Sequence, residues 1–209
     1  MTTVLIDYES GNLHSAQKAF ERMAAEVGAG EVIVTSDPDA ILAADRVVLP
    51  GDGAFPACVA ALDASGCRAA LEEAVITRGR PFLGICVGMQ LMASLGREYR
   101  DTPGLGWIEG EVVRIDAGDQ PVPHMGWNDL VLNSNHPVFA GVETGHHTYF
   151  VHSYHMQVAQ PDNRLAHVRY GGDITAVVGR DTMIGMQFHP EKSQSTGLQM
   201  IANFLTWTP

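Results

Sequence analysis

Short apolar runs alternate with helical segments through the first half of the chain. Four mostly apolar runs predict β-strands at Val4–Asp7, Glu31–Thr35, Arg46–Leu49 and Phe82–Ile85. After the first run, apolar residues recur at helical spacing, at Leu13, Ala16, Phe20, Met23 and Val27. Further helices are expected at Pro38–Ala43, over residues 56–78 with a break at Ser65-Gly66, and at Val87–Leu95. This alternation predicts a parallel sheet with helices on both faces.

From about Gly104 the pattern changes to strands separated by turn signals such as Gly171-Gly172-Asp173. The expected strands are Glu111–Ile115, Asp129–Leu132, His147–Gln157, Leu165–Tyr170, Thr175–Gly179 and Met183–Phe188. A closing helix is expected from about Thr196. Because no linker divides the chain, we expect one α/β domain over residues 1–209, with a mostly parallel central sheet and a β-rich second half.

Charge and composition narrow the function classes. The net charge of −11 argues against nucleic acid or an anionic membrane surface as partner. No apolar stretch approaches the roughly 18 residues of a membrane span, and Met1–Asp7 lacks the features of a signal peptide. The three cysteines are odd in number and lack metal-type spacing, so we expect a reducing cytoplasm and no metal or cofactor. Cys58 and Cys67 lie in an alanine-rich helical stretch and are interpreted as packing residues.

The third cysteine stands in a distinctive turn. Gly84-Ile85-Cys86-Val87-Gly88 has the G-x-[S/C]-x-G pattern of a nucleophile elbow between a strand and a helix. Glycines permit so tight a turn, and the positive end of the following helix favours a thiolate. The alternative is a buried structural cysteine, because free cysteine packs like a small apolar side chain.

A candidate base follows the last predicted strand. In His189-Pro190-Glu191 the proline restricts its neighbours, so the Glu191 carboxylate can reach one imidazole nitrogen while the other faces Cys86. The alternative for His189 is a strand-end histidine bonded to backbone. Pro50-Gly51-Asp52-Gly53 also follows a strand, and its glycines allow the Asp52 N–H to face the cleft. With the N–H of Val87, this N–H would complete a two-donor oxyanion hole.

These strings occur in an order that resembles the class I glutamine amidotransferases, and the similarity spans nearly the whole chain. The resemblance implies a flavodoxin-like three-layer α/β fold. It also implies a mechanism in which Cys86, His189 and Glu191 hydrolyse glutamine to glutamate and ammonia. Gly51, Gly53, Gln90, Glu98, Ser153 and Tyr154 match positions that hold glutamine. Glu98 is a less close match, because the residues before it depart from the usual string of the family.

Within the family, three strings are similar to the glutaminase subunits of imidazole glycerol phosphate synthases. They are Pro123-His124-Met125-Gly126-Trp127-Asn128, Tyr149-Phe150-Val151-His152-Ser153-Tyr154 and His189-Pro190-Glu191-Lys192-Ser193. The resemblance implies a heterodimer with a (β/α)₈-barrel cyclase, which uses the ammonia to form imidazole glycerol phosphate and an aminoimidazole carboxamide ribotide. Trp127, Tyr149 and Lys192 match positions that face the cyclase.

One position departs from the family pattern. Asp52 stands where an uncharged residue is usual between the two glycines. Because a carboxylate would repel a developing oxyanion, we expect the Asp52 side chain to point away from Cys86.

Other functions remain open from the sequence. The chain could serve a synthase that makes anthranilate, GMP or pyridoxal phosphate, or hydrolyse γ-glutamyl bonds alone. Outside catalysis, a flavodoxin-like binding or redox module could also carry an elbow cysteine.

Overall fold

The computed structural model describes residues 1–9 and 13–209. The strands of the first half are β1 (Thr2–Ile6), β2 (Glu31–Thr35), β3 (Arg46–Gly51), β4 (Phe82–Cys86), β5 (Ala93–Gly96) and β6 (Thr102–Pro103). Those of the second half are β7 (Ile108–Arg114), β8 (His124–Asp129), β9 (Val131–Leu132), β10 (His147–His152), β11 (Tyr154–Val158), β12 (Arg164–Tyr170), β13 (Gly172–Arg180) and β14 (Met183–Met186). The α-helices are α1 (Leu13–Val27), α2 (Pro38–Ala43), α3 (Phe55–Ala64), α4 (Cys67–Glu72), α5 (Val87–Gln90) and α6 (Gln194–Thr206).

The central sheet has the order β2-β1-β3-β4-β14-β13-β12-β9 within the described residues. Its first five strands run parallel, and β13, β12 and β9 continue it antiparallel. The predicted α/β class with a mostly parallel central sheet is therefore confirmed. Because β14, from the end of the chain, lies between β4 and β13, we infer that residues 1–209 form one domain.

Helices cover both faces of this sheet. The chain moves from β1 to β2 through α1, and back across β1 to β3 through α2, so right-handed crossovers place these two helices on opposite faces. Helix α6 packs against α1, and α4 packs against α2. Large apolar side chains such as Phe20, Phe82 and Phe204 are fully buried between the layers. No helix in residues 1–9 and 13–209 combines the length and apolar character needed to cross a membrane.

Two smaller sheets form the β-rich part of the second half. Strands β8 and β10 pair antiparallel, with Trp127 opposite Tyr149 and His124 opposite His152. A second sheet has the order β11-β7-β5-β6. Their strands fall between β4 and β12 in the sequence. Strand β10 contacts the carboxyl edge of the central sheet, where the Tyr149 carbonyl accepts from the His189 N–H.

Two segments that were each expected to form one element are divided between two elements in the structure. The segment Val87–Leu95 is not one helix, because α5 ends at Gln90 and the chain continues into β5. Carbonyl groups of Leu91, Met92 and Ala93 accept hydrogen bonds from backbone N–H groups of residues 105–108, and this pairing replaces the helical bonds. The segment His147–Gln157 is not one strand either, since β10 pairs with β8 whereas β11 pairs with β7.

Strand β8 was not among the expected strands. Its apolar side chains Met125 and Trp127 are exposed, whereas His124 is buried, so its polar and apolar positions are the reverse of a usual half-buried strand. The expected strand Asp129–Leu132 is shorter, beginning at Val131, and the residue before it only links β8 to β9.

Strand register brings the functional strings to one edge. Gly51 at the end of β3 lies opposite Cys86 at the end of β4, and Ile85 lies opposite Met186 of β14. The loop after β3, the elbow after β4 and the His189 segment after β14 therefore share the carboxyl edge of the sheet, where ligands bind in open α/β sheets.

Candidate active site

Cys86 occupies a strained position between β4 and α5. Its backbone has φ 54° and ψ −113°, in a region that non-glycine residues rarely adopt. Such a conformation costs roughly 1–3 kcal/mol and persists only where the surroundings fix it. The side chain is nearly buried, at the carboxyl edge of the sheet. This is the backbone geometry of a nucleophile elbow.

Three glycines fix the elbow through close backbone packing. A Cβ atom on Gly88 would lie 1.8 Å from the carbonyl oxygen of Leu49, and one on Gly84 would lie 2.6 Å from the carbonyl oxygen of Gly88. A Cβ atom on Gly51 would lie 2.6 Å from the backbone nitrogen of Gly88 and 2.8 Å from the hydroxyl of Tyr8. A side chain at Gly51 or Gly88 would push β3 away from the turn that carries Cys86, and one at Gly84 would push β4 away from α5.

His189 and Glu191 form a buried pair beyond β14. The Nδ1 atom of His189 lies 2.9 Å from Oε1 of Glu191, and both side chains are almost inaccessible to solvent. The backbone of the histidine is held as well, because its N–H donates to the carbonyl oxygen of Tyr149 at 3.1 Å. The Ser193 hydroxyl donates to the His189 carbonyl at 2.7 Å and accepts from the Tyr149 N–H at 2.9 Å. The imidazole therefore has a fixed place beside the elbow.

The proton on His189 is stabilised by its neighbours. Burial lowers the pKa of His189, but the interactions with Cys86 and Glu191 outweigh burial and raise this pKa to about 10. The Nε2 atom makes no hydrogen bond of regular geometry within the described residues. An imidazolium whose Nδ1–H is held by Glu191 thus keeps its other N–H for the sulfur or for a leaving group.

A cleft opens in front of the sulfur. It has a volume of about 210 Å³ and is lined by Cys86, Val87, Gln90, Glu98, Ser153, Tyr154, Asp52 and Gly53, with Pro123, Val151 and His152. The structure thus brings the elbow together with most positions expected to hold the substrate. Ser153 and Tyr154 lie at the junction between β10 and β11, so this part of the cleft wall is where the chain changes sheets.

Glu98 and Asp52 border the cleft in different ways. An oxygen of Glu98 accepts a hydrogen bond from the Phe55 N–H at 2.7 Å, at the first turn of α3. Asp52 is exposed, and its backbone carbonyl accepts from the Cys58 thiol at 3.4 Å. The orientation of the Asp52 carboxylate away from Cys86 stays a prediction, as does the contribution of its N–H to an oxyanion hole.

The positions expected to face a partner lie near the backbone of His189, whose N–H donates to the Tyr149 carbonyl. Trp127 and Tyr149 pack edge to face, with ring centroids 5.7 Å apart, and 48% of Trp127 is exposed. Lys192 is exposed on a 3₁₀ turn, Pro190–Lys192, directly after His189. A larger groove of about 640 Å³ runs beside Trp127 and the start of α6.

Sequence reasoning missed two buried polar residues at the site. The amide nitrogen of Gln187 lies 3.9 Å from the Cys86 sulfur, and this glutamine is fully buried. His152 lines the cleft and holds the carbonyl oxygen of Tyr154 at 2.8 Å. A signal was available for Gln187, which is a polar residue just past the otherwise apolar run of β14. All three cysteines are free thiols, and the described residues contain no cluster of three or more metal-ligating side chains.

The family model described as "Glutamine amidotransferase class-I" matches residues 4–207. The chain belongs to the class I glutamine amidotransferases. Similar proteins include the imidazole glycerol phosphate synthase subunit HisH of Ruegeria pomeroyi, 67% identical over 212 residues, and that of Cereibacter sphaeroides, 66% identical. The corresponding subunit of Rhodospirillum rubrum is 55% identical. Each alignment covers both chains completely.

Solved structures share the amidotransferase fold at much lower identity. A putative GMP synthase subunit from Thermoplasma acidophilum has a TM-score of 0.71 at 18% identity, covering 98% of this chain and 92% of that one. A glutamine amidotransferase from Thermotoga maritima has a TM-score of 0.66 at 16% identity, covering 91% and 76%. At these identities the comparison supports the fold alone.

The side chains around Cys86 indicate which reaction this amidotransferase can catalyse. A thiol at a strained turn and a buried imidazolium held by a carboxylate are the groups needed to cleave a carboxamide through a thioester, and the predicted N–H donors of Asp52 and Val87 would stabilise its oxyanion.

Proposed function

We propose that this amidotransferase is the glutaminase subunit of an imidazole glycerol phosphate synthase in histidine biosynthesis. The observation that carries the assignment is the 67% identity, over both full chains, with the HisH subunit of R. pomeroyi. The cleft beside Cys86 and the buried pair of His189 and Glu191 support glutamine hydrolysis as its reaction. Its free thiols fit a reducing compartment, so we place it in the cytoplasm.

The first half of the reaction forms a thioester. The Cys86 thiolate attacks the carboxamide carbon of glutamine, and the N–H groups of Asp52 and Val87 stabilise the oxyanion. When the intermediate collapses, the carbon–nitrogen bond breaks and the His189 imidazolium gives its proton to the departing nitrogen. Ammonia leaves, and a γ-glutamyl thioester remains on Cys86.

The second half releases glutamate. Neutral His189 takes a proton from a water molecule, which attacks the thioester carbon. Collapse of this intermediate breaks the carbon–sulfur bond and restores the Cys86 thiolate and the His189 imidazolium. Glu191 keeps the imidazole oriented through both halves, because its oxygen stays on Nδ1. Gln90, Glu98, Ser153 and Tyr154, with the glycines of the 51–53 loop, hold the α-substituents and the chain of glutamine.

The partner in this proposal is the (β/α)₈-barrel cyclase, which receives the ammonia. Exposed apolar side chains on one face, Met125 at 62% and Trp127 at 48%, with Tyr149 and Lys192 beside them, suit a protein interface. This face adjoins His189 through the Tyr149 backbone, so ammonia released at Cys86 would have a short route to it.

Glutamate release by the purified chain, alone and with the cyclase and its nucleotide ligand, tests the proposal. We expect weak release by the chain alone and strong stimulation in the complex. Cys86→Ala should abolish release. Cys67→Ala is the matched control, because it removes a buried cysteine whose thiol donates a hydrogen bond to the Ser36 carbonyl. Full activity without a partner would instead indicate a stand-alone glutaminase, and activity of the Cys86→Ala variant would refute the mechanism.

A further inference from the structure

A chain of hydrogen bonds begins on strand β8, the strand that carries exposed Trp127. The amide nitrogen of Asn128 lies 3.2 Å from Nε2 of His124. The Nδ1 atom of His124 lies 2.9 Å from Nε2 of His152. His152 in turn donates from Nδ1 to the carbonyl oxygen of Tyr154 at 2.8 Å. Three hydrogen bonds thus join the outer strand to the backbone that lines the cleft.

The same carbonyl oxygen connects to the nucleophile from the other side. The amide nitrogen of Gln90 donates to the Tyr154 carbonyl and to Oε1 of Gln187, each at 3.0 Å. Because Oε1 of Gln187 is the acceptor, its amide nitrogen faces the Cys86 sulfur at 3.9 Å. The polar chain therefore runs without a break from β8 to the sulfur.

Only one arrangement of protons satisfies the histidine part of this chain. The Tyr154 carbonyl can only accept, so Nδ1 of His152 carries a hydrogen, and Nε2 of a neutral His152 must accept. His124 then donates from Nδ1, and its Nε2 accepts from the Asn128 amide. Burial lowers the pKa of His152 to about 3 and that of His124 to about 4, so both rings are neutral near pH 7.

Packing keeps the members of the chain in place. His124 is 3% exposed and lies between Phe150 and Tyr170, with ring centroids 4.7 Å and 4.1 Å away. Gln187 is fully buried and Gln90 is 3% exposed. Buried polar groups of this kind hold their positions strongly, because breaking one hydrogen bond leaves a buried donor or acceptor without a partner.

We propose that His124, His152, Gln90 and Gln187 act as one positioning chain, which ties the Cys86 sulfur to strand β8. Gln187 presents an N–H to the sulfur, and this contact strengthens when the thiol ionises, because hydrogen bonds to ionised acceptors are the stronger ones. His124 and His152 act through the Tyr154 carbonyl by holding the acceptor that orients Gln90. The role of β8 as the partner-facing end rests on the proposed function, whereas the effect of the chain on Cys86 does not.

The rate of Cys86 alkylation by iodoacetamide, measured across pH in the isolated protein without its partner, tests the proposal. Gln187→Met keeps the length of the side chain but removes the amide, so we expect about tenfold slower alkylation near pH 7 and a profile moved to higher pH. His124→Phe keeps the ring between Phe150 and Tyr170 but removes both nitrogens, and should move the profile the same way by a smaller factor. Peptide mass spectrometry confines the measurement to Cys86.

His155→Phe is the matched control. His155 is a buried histidine on the neighbouring strand β11, and its Nδ1 has no hydrogen-bond partner within the described residues. We expect this variant to alkylate as the unmodified protein does. Alkylation profiles that stay unchanged in both Gln187→Met and His124→Phe would overturn the proposal, as would an equal change in His155→Phe.

Nitrogen-15 NMR of the unmodified protein gives a measurement that does not depend on the folding of a variant. We expect the side chains of His124 and His152 to be neutral and protonated at Nδ1 near pH 7. A neutral His152 ring protonated at Nε2 would overturn the proposed chain of hydrogen bonds. If the cyclase fails to stimulate glutamate release, the proposed function fails, yet the alkylation and NMR results still decide this inference.

Discussion

At the scale of single residues, the charge state of the site depends on Cys86, His189 and Glu191, which the fold brings together. The pKa of His189 rises to about 10 although burial opposes it, because Cys86 and Glu191 both favour the imidazolium. The pairing of His189 with Glu191 was predictable, since Pro190 makes it a local property of the sequence. The contact of Gln187 with the sulfur was not, because it depends on which side of β14 faces the elbow.

Replacement of Glu191 tests how the imidazole is held. Glu191→Gln keeps the size of the side chain but removes the negative charge from Nδ1, so the pKa of His189 should fall below about 10. We expect kcat for glutamate release to fall by about 10²–10⁴, as when the orienting carboxylate of a triad is lost. An NMR titration of His189 and steady-state kinetics of the complex measure the two effects. A variant with unchanged kcat would remove Glu191 from the mechanism.

At the scale of elements, the structure differs from expectation where distant strands compete for backbone hydrogen bonds. Apolar periodicity predicted a helix over Val87–Leu95, but residues 105–108 bond to the carbonyl groups of Leu91, Met92 and Ala93, and the chain continues into β5. The strands that form the parallel core were predictable, because buried strands have continuous apolar runs. Strand β8 was not, because its apolar side chains face outward.

The elbow requires a glycine at position 88 for a steric reason. Gly88→Ala would place a Cβ atom 1.8 Å from the Leu49 carbonyl oxygen, so β3 and α5 would have to separate. We expect this variant to lose more than about 2 kcal/mol of unfolding free energy, in the range of overpacked cores, and to lose Cys86 alkylation. Urea denaturation measures the first effect.

Gly172→Ala is the control for that substitution. A Cβ atom on Gly172 meets nothing within 4 Å, and its backbone φ lies outside the left-handed region. Its stability should stay within about 0.5 kcal/mol of the unmodified protein. Equal stability of the two variants would contradict the steric account of the elbow.

Strands β8 and β10 carry the proposed docking face. Trp127→Ala should leave the fold intact, because about half of the side chain is already exposed, but should weaken stimulation of glutamate release by the cyclase. Titration of the cyclase against each variant measures the coupling. Ile76→Ala, which removes a half-exposed apolar residue elsewhere, should keep full stimulation, and a Trp127→Ala variant that responds equally well would contradict the docking face.

At the scale of the whole molecule, topology unites residues that lie over a hundred positions apart. Cys86 and His189 meet because β4 and β14 are parallel neighbours, although β14 reaches its place only after the chain has built two further sheets. The alternation of strands and helices predicted a shared sheet edge, but not which strands would be neighbours. The order of strands depends on tertiary packing that one sequence does not reveal.

Buried neutral histidines make the stability of the molecule depend on pH. Burial lowers the pKa of His155 to about 4, as it does for His124, so the unfolded chain binds more protons than the folded one between about pH 6.5 and about pH 4. Unfolding free energy should therefore fall as pH falls through this window. His155→Phe removes one of these histidines, so its unfolding free energy should decrease by about 3 kcal/mol less across this pH window than that of the unmodified protein. Urea denaturation across the window measures it, and parallel curves for the two proteins would contradict the burial effect.

The account depends most on covalent attack by Cys86 within the assembled site. Its most direct test is to treat the complex with a glutamine analogue that carries an electrophilic carbon in place of the carboxamide, and to map the adduct by peptide mass spectrometry. We predict one adduct, on Cys86, whose formation glutamine competes away and His189→Ala slows. An adduct on Cys58 or Cys67 instead, or glutamate release that continues while Cys86 is fully blocked, would contradict the account.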